Sequence, residues 1–115
     1  PGPLSEAVYN LLTNGCEAAL QAGREPRLDL TVRGERLWTM LEVRDNGGGI
    51  PAELQSRIYE PFFTSKNTNY NWGMGLYYVR RIVKSHFGRL RLESRPGEGS
   101  SFHIMLPRYD VGRRG

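Results

Sequence analysis

Leu4, Val8, Leu11, Leu12, Ala19 and Leu20 recur at helical spacing, and the spacing predicts an amphipathic helix over residues 4–23. Ser5 is its expected N-cap and Gly23 its expected stop. RLDLTVR (27–33) then alternates apolar with polar positions, the pattern of a half-buried strand. GER forms a turn, and LWTMLEVRD (37–45) a second strand antiparallel to the first. Pro51 opens a short helix, AELQSRIY (52–59). PFFTSKNTNYNW (61–72) has no period and reads as a long loop. GLYYVRRIVKSHF (75–87) returns to helical spacing, with Leu76, Val79, Ile82 and Val83 inward and Arg80, Arg81 and Lys84 outward. Gly88 stands at its C-cap. RLRLES (89–94) and SSFHIML (100–106) are strands joined by RPGEG, a turn by composition. Strand pairs with helices between them predict an α+β fold, one sheet with helices on one face.

Composition narrows this picture. A chain of 115 residues fits one small domain, and 38% hydrophobic with 24% charged residues is a globular balance. It has neither an apolar run long enough to span a membrane nor a signal-peptide pattern, and no direct membrane contact is expected. Pro1 is not a native start, so the chain reads as a piece of a longer protein. Residues 1–3 are expected to be a cloning scar, 4–108 the domain and 109–115 a polar tail. The lone Cys16 excludes an internal disulfide framework and suits a reducing, cytoplasmic setting. One cysteine and two histidines leave no zinc cluster. The net charge of +4 suits a polyanion. Nucleic acid is not expected, because Arg80, Arg81, Lys84, Arg89 and Arg91 lack base-reading neighbours, and Tyr77 and Tyr78 follow the packing period.

The fourteen glycines carry more information. Three G-x-G pairs stand out: Gly47/Gly49, Gly73/Gly75 and Gly97/Gly99. The last reads as a plain turn. There is no P-loop motif, and GGGIPA matches the dinucleotide fingerprint only loosely, without the acid required further on. Asn46-Gly47 is a hairpin signal, but no return strand follows it. The glycines of DNGGGI then read as backbone left bare for something flat. Gly73-Met74-Gly75-Leu76 opens a helix and offers free N–H groups to an anion, with Lys66 as added charge; a flexible loop closing onto a helix is the alternative. Asn10 and Asn14 share a helix face. They read either as buried hydrogen-bonding amides or as an oxygen pair for Mg²⁺.

Together, NLLTNGCEA, DNGGGI, PFF, GMGL and GEGSSF resemble, in order and spacing, the ATP-binding domain of histidine kinases. That domain belongs to the GHKL ATPase superfamily with its Bergerat fold, and the match runs from residue 10 to 102. The resemblance implies a two-layer α/β sandwich: a mixed, mainly antiparallel sheet with three helices on one face, and ATP between helices and a mobile lid. By this resemblance Asn14 holds Mg²⁺ on the triphosphate, and Asn10 is its partner one turn earlier. Asp45 accepts a hydrogen bond from the adenine amine, Gly47 and Gly49 let the base approach, and Ala18 and Ile50 line the nucleotide. Phe62 and Phe63 form the aromatic box, Lys66 lies in the lid, and Gly73, Met74, Gly75 and Leu76 form the phosphate-binding turn. Ser100 stands where the family usually has threonine. Asn71 replaces the first lid glycine, and Glu17-Ala18 replaces a lysine and an aromatic, so a basic phosphate contact is missing from that helix.

The ATPases and serine kinases of the superfamily carry a glutamate four residues before the Mg²⁺ asparagine, as base for the attacking water or hydroxyl. Here that position is Asn10, which cannot take a proton, and Glu6 lies roughly 12 Å from Asn14 along the helix. The resemblance therefore implies Mg-ATP binding and γ-phosphoryl donation to a histidine, whose neutral imidazole needs no base. His86 and His103 read as structural, so the acceptor is expected on a dimerisation domain outside this chain, with a response-regulator receiver domain downstream. The chain alone is expected to bind ATP without phosphorylating itself. The alternatives are a GHKL-fold ATPase clamp or serine-kinase-type module, and a module that has lost nucleotide binding.

Overall fold

In a computed structural model the described residues are 2–60, 63–65, 70–73 and 75–108, with the backbone path alone for 63–65 and 70–73. The elements are α1 (Pro3–Gln21), β1 (Leu28–Gly34), β2 (Trp38–Asp45), α2 (Ala52–Gln55), β3 (Phe63–Ser65), β4 (Tyr70–Gly73), α3 (Gly75–Ser85), β5 (Arg89–Ser94) and β6 (Ser100–Pro107). Four strands form one sheet in the order β1-β2-β6-β5, and β3 pairs with β4 separately. The expectation included mixed pairing; among the described residues every ladder is antiparallel.

Register sets which side of the sheet meets the helices. Leu30 pairs with Val43, Val43 with Phe102 and Phe102 with Leu92, so these residues share one face. Val43, Phe102 and Ile104 pack there with Ala7, Leu11, Ile58, Leu76, Val79 and Val83 in a single core. The sheet with helices on one face expected from the order of elements, and the sandwich implied by the resemblance, are observed, but β1, expected to be half-buried, is exposed beyond Leu28.

Several local expectations change. Helix α1 starts at Pro3 with Gly2 as N-cap and no side-chain cap, so Ser5 lies inside the helix. Proline at the first position loses no hydrogen bond, because that N–H has no intrahelical partner. The buried face of α1 is Ala7, Leu11, Gly15 and Ala19, whereas Leu20 is exposed. Small residues on that face bring the helix axis close to the sheet. The span 52–59 is helical only to Gln55 and continues as turns. The predicted loop contains β3 and β4, whose three and four residues are too short to show a period.

Gly23 does end α1: with φ +75° it lets Arg24 N–H reach the Ala19 carbonyl at 2.9 Å and its own N–H the Leu20 carbonyl at 3.0 Å. At the end of α3 the same motif falls one residue earlier than predicted. Phe87 takes the left-handed φ of 61°, and Gly88 N–H bonds the Val83 carbonyl at 2.9 Å. Gly88 is glycine for another reason, since a Cβ there would stand 2.6 Å from the Met105 carbonyl oxygen. A left-handed non-glycine residue costs about 1–2 kcal/mol, and Phe87 is 75% exposed. Phe87→Gly is therefore expected to stabilise the domain by about 0.5–1 kcal/mol, because part of the relief is offset by a looser unfolded chain. Thermal melting reads this directly; a lower midpoint would contradict it.

Candidate functional site

Strand β2 ends in Asp45 on the helix-facing side of the sheet, paired with Ser100 of β6. Its carboxylate is buried at 7% exposure. Oδ1 accepts from the Gly47 N–H at 2.9 Å and the Ser100 N–H at 3.2 Å. Oδ2 accepts from no described residue. Burial pushes the carboxyl above its ordinary value, while the two backbone N–H groups pull it back without cancelling the effect. One oxygen of Asp45 is thus committed to the scaffold, and the other has no donor among the described residues.

Helix α1 lies directly behind Asp45. A Cβ at Gly15 would stand 2.8 Å from the Asp45 Cβ and 2.9 Å from the Leu28 Cδ2. Gly15 was not among the predicted site residues, although a glycine in a helix interior is itself a signal. It costs about 1 kcal/mol against alanine and so needs a packing reason. Gly15→Ala is expected to destabilise the domain by about 1–3 kcal/mol despite better helix propensity, since the Asp45 Cβ is fixed by its strand and cannot give way as the Leu28 side chain can. Chemical denaturation checks this; an unchanged midpoint would contradict the close packing.

The next residue back is Asn14, whose Nδ2 is buried and has no hydrogen-bond partner among the described residues. Leaving such a donor unpaired costs about 1–3 kcal/mol, so the position calls for an acceptor. The carboxamide faces the first residue of α3: a Cβ on Gly75 would lie 3.6 Å from Nδ2 and 3.9 Å from Oδ1. A donor and an acceptor beside the positive end of an eleven-residue helix suit an anion together with a cation. Asn10 lies one turn earlier and is half-buried.

The glycines of the loop have an internal explanation that the sequence reading lacked. A Cβ at Gly47 would stand 2.6 Å from the Ala18 Cβ, and at Gly49, whose φ is +79°, it would strike the Arg95 carbonyl oxygen. Both must be bare for α1 and the 95–99 turn to approach, whatever else lies against their backbone. Leu76 and Ile50 have core side chains, at 0% and 5% exposure, so only their backbones can meet a ligand. Ser94, also not predicted, ties the region together. It accepts from the Ile50 N–H at 2.8 Å, donates to the Gly99 carbonyl at 3.0 Å and lies 2.8 Å from the Ser100 Oγ. Its single proton is spent on Gly99, which makes Ser100 the donor in the last contact.

Phe62, Lys66 and Met74 lie outside the described residues, Phe63 is described by backbone alone in β3, and Gly73 closes β4. His86 Nδ1 is 2.9 Å from the Ile82 carbonyl in its own helix. His103 sits on the opposite face of the sheet, its Nε2 3.4 Å from Glu93 and 3.8 Å from Glu42. Neither approaches the Asp45–Asn14 region. No described helix is long and apolar enough to cross a membrane.

The backbone matches solved catalytic domains of histidine kinases. A mycobacterial sensor histidine kinase, MprB, superposes with a TM-score of 0.76 at 29% identity, over 91% of this chain and 72% of that one. The catalytic domain of the histidine kinase ThkA gives 0.74 at 28% identity, over 91% and 65%. Among relatives, the sensor kinase CckA of Brucella abortus is 42% identical over 98% of this chain, and the two-component sensor PprA of Pseudomonas aeruginosa 39% over 90%. The chain spans only 13% and 12% of their respective lengths. Fold and relatives therefore define a catalytic, ATP-binding domain of the histidine-kinase type. The chain belongs to the family of histidine kinase-, DNA gyrase B- and HSP90-like ATPases, whose model matches residues 1–110.

Proposed function

We propose that this chain binds Mg-ATP and donates the γ-phosphoryl group to a histidine on a dimerisation domain elsewhere in a two-component sensor kinase. The observation that carries the reading is the pairing of two incomplete groups along α1: the uncommitted Oδ2 of Asp45 and the unpartnered amide of Asn14. A carboxylate oxygen suits the exocyclic amine of adenine, which is a donor. The amide suits the triphosphate, with Nδ2 giving a hydrogen bond to a phosphate oxygen and Oδ1 available to a cation. Mg²⁺, when bound, neutralises charge on the transferring phosphate. Asn14, with Asn10 as a second oxygen, would hold it. The N-terminus of α3 and Gly75 would face the same phosphates.

The chemistry asked of the chain is positioning and charge stabilisation. The imidazole nitrogen attacks phosphorus with its lone pair, the bond to the ADP oxygen breaks, and the imidazole proton leaves to solvent. No protein base is required. Asn10 has no basic lone pair for a water proton, which argues against the clamp-type ATPase. A response-regulator receiver domain would take the phosphoryl group from that histidine, and the domain would work on the cytoplasmic side. The test is phosphate release by this chain under saturating Mg-ATP, run beside phosphoryl transfer to the parent's histidine-bearing segment. The expected result is negligible phosphate release and an acid-labile label on the histidine. Release at several turnovers per minute would overturn it in favour of the ATPase.

A further inference from the structure

The glycine turn at 97–99 and the loop joining α1 to β1 remain unassigned, and one side chain connects both to the Asp45 loop. The Schellman end of α1 delivers Arg24 against the glycine loops. Its Nη1 donates to the carbonyls of Asn46 at 3.0 Å and Gly47 at 2.8 Å, and its Nη2 to that of Gly97 at 3.1 Å. No described carboxylate pairs with Arg24. The lock is reciprocal: the Asn46 amide donates to the Glu25 carbonyl at 3.0 Å and accepts from the Arg27 N–H at 2.8 Å. Gly97 N–H in turn bonds the Gly48 carbonyl at 2.7 Å.

The peptide between Asn46 and Gly47 is the link that matters. Its carbonyl accepts from Arg24 and its N–H donates to the Asp45 Oδ1 at 2.9 Å. A planar trans peptide fixes these two groups on opposite sides, so holding the oxygen fixes the N–H. A cation on the carbonyl also polarises the N–H toward the carboxylate. We infer that Arg24 is a positioning residue for base recognition: through the Asn46–Gly47 peptide it fixes Oδ1 of Asp45 and so aims Oδ2 at the adenine. Arginine suits the task because its planar fork reaches carbonyls of two loops at once, which the point charge of lysine does not. The inference rests on the reading of Asp45 as the adenine acceptor.

The test compares Arg24→Met and Arg24→Lys with the wild-type chain, titrated with Mg-ADP and with Mg-tripolyphosphate well below the melting temperature. Arg24→Met should weaken ADP about tenfold, the scale of one charge-assisted hydrogen bond, and leave tripolyphosphate unchanged. Arg24→Lys should fall between Met and wild type for ADP alone. In an Asp45→Asn background Arg24→Met should add nothing, because the group it aims is no longer a carboxylate. A merely structural brace would lower the melting midpoint without separating the two ligands. ADP affinity within twofold of wild type, or equal losses for ADP and tripolyphosphate, would overturn the inference. If Arg24→Met does not fold, Arg24→Lys is read by the same criteria. If Asp45→Asn alone leaves ADP binding intact, the adenine reading itself fails; if Asp45→Asn weakens ADP and neither Arg24 variant does, only the role of Arg24 fails.

Discussion

Asp45→Asn will weaken adenine nucleotides about 30-fold, ~2 kcal/mol, while leaving the domain at least as stable as wild type near neutral pH. The two halves of this expectation come from the two oxygens. Asparagine keeps an acceptor for the Gly47 and Ser100 N–H groups, so the loop stays in place. It replaces Oδ2 with a donor that meets the donor of the adenine amine. The stability half follows from burial, which raises the Asp45 carboxyl above its ordinary value of 3.8. A carboxyl raised in the folded state favours folding below its unfolded value, and that contribution is lost as pH rises through the folded value. Near neutrality the charged, buried Asp45 therefore costs stability, and asparagine removes the cost. The melting gap between variant and wild type should close as pH falls toward that ordinary value. Calorimetric titration with ADP and melting scans across pH read the two halves separately. A variant with wild-type affinity, or one destabilised at neutral pH and no less so in acid, would contradict the account.

Asn14→Ala should act on the other end of the ligand. Its expected effect is the largest on chemistry: about 100- to 1000-fold slower phosphoryl transfer, the scale seen when one charge-stabilising group leaves a transition state. The Mg²⁺ dependence of nucleotide affinity should disappear, so that titrations with and without the metal coincide. Stability should not fall much, because the Asn14 Nδ2 is already an unpaired buried donor whose removal offsets the lost packing. Single-turnover transfer with the histidine-bearing segment, and paired titrations, check these points. Retained Mg²⁺ dependence would assign the metal to other groups.

Both variants are expected to lose function at little or no cost in stability, which is the mark of residues kept for a ligand rather than for the fold. Such residues were readable. Asp45 is an acid at the buried end of an apolar strand, and Asn14 a polar side chain on an apolar helix. Each breaks the local pattern, and that conflict is visible without coordinates. Helix and strand order was readable from the pattern as well, because alternation is clear in the sequences of β1 and β5 and helical spacing in α3.

The rest depended on packing that hydrophobicity does not encode. The buried face of α1 runs through Ala7, Gly15 and Ala19, small residues that matter by letting the helix approach Asp45, so a pattern weighted toward leucine placed Leu20 wrongly. Gly47 and Gly49 looked bare for a ligand because their real neighbours, Ala18 and Arg95, are distant in sequence. Arg24 sits in GREPR, between the first helix and the first strand, with no motif to single it out. Its partners are backbone carbonyls 22, 23 and 73 residues away, and a carbonyl has no residue-type signature.

Calorimetric titration of this chain with ADP, with and without Mg²⁺, decides whether Asp45 and Asn14 form a nucleotide site. The expected result is saturable one-to-one binding that strengthens with Mg²⁺ and is weakened in the Asp45→Asn variant. An absence of heat at millimolar nucleotide, or binding indifferent to both Mg²⁺ and Asp45, would contradict it.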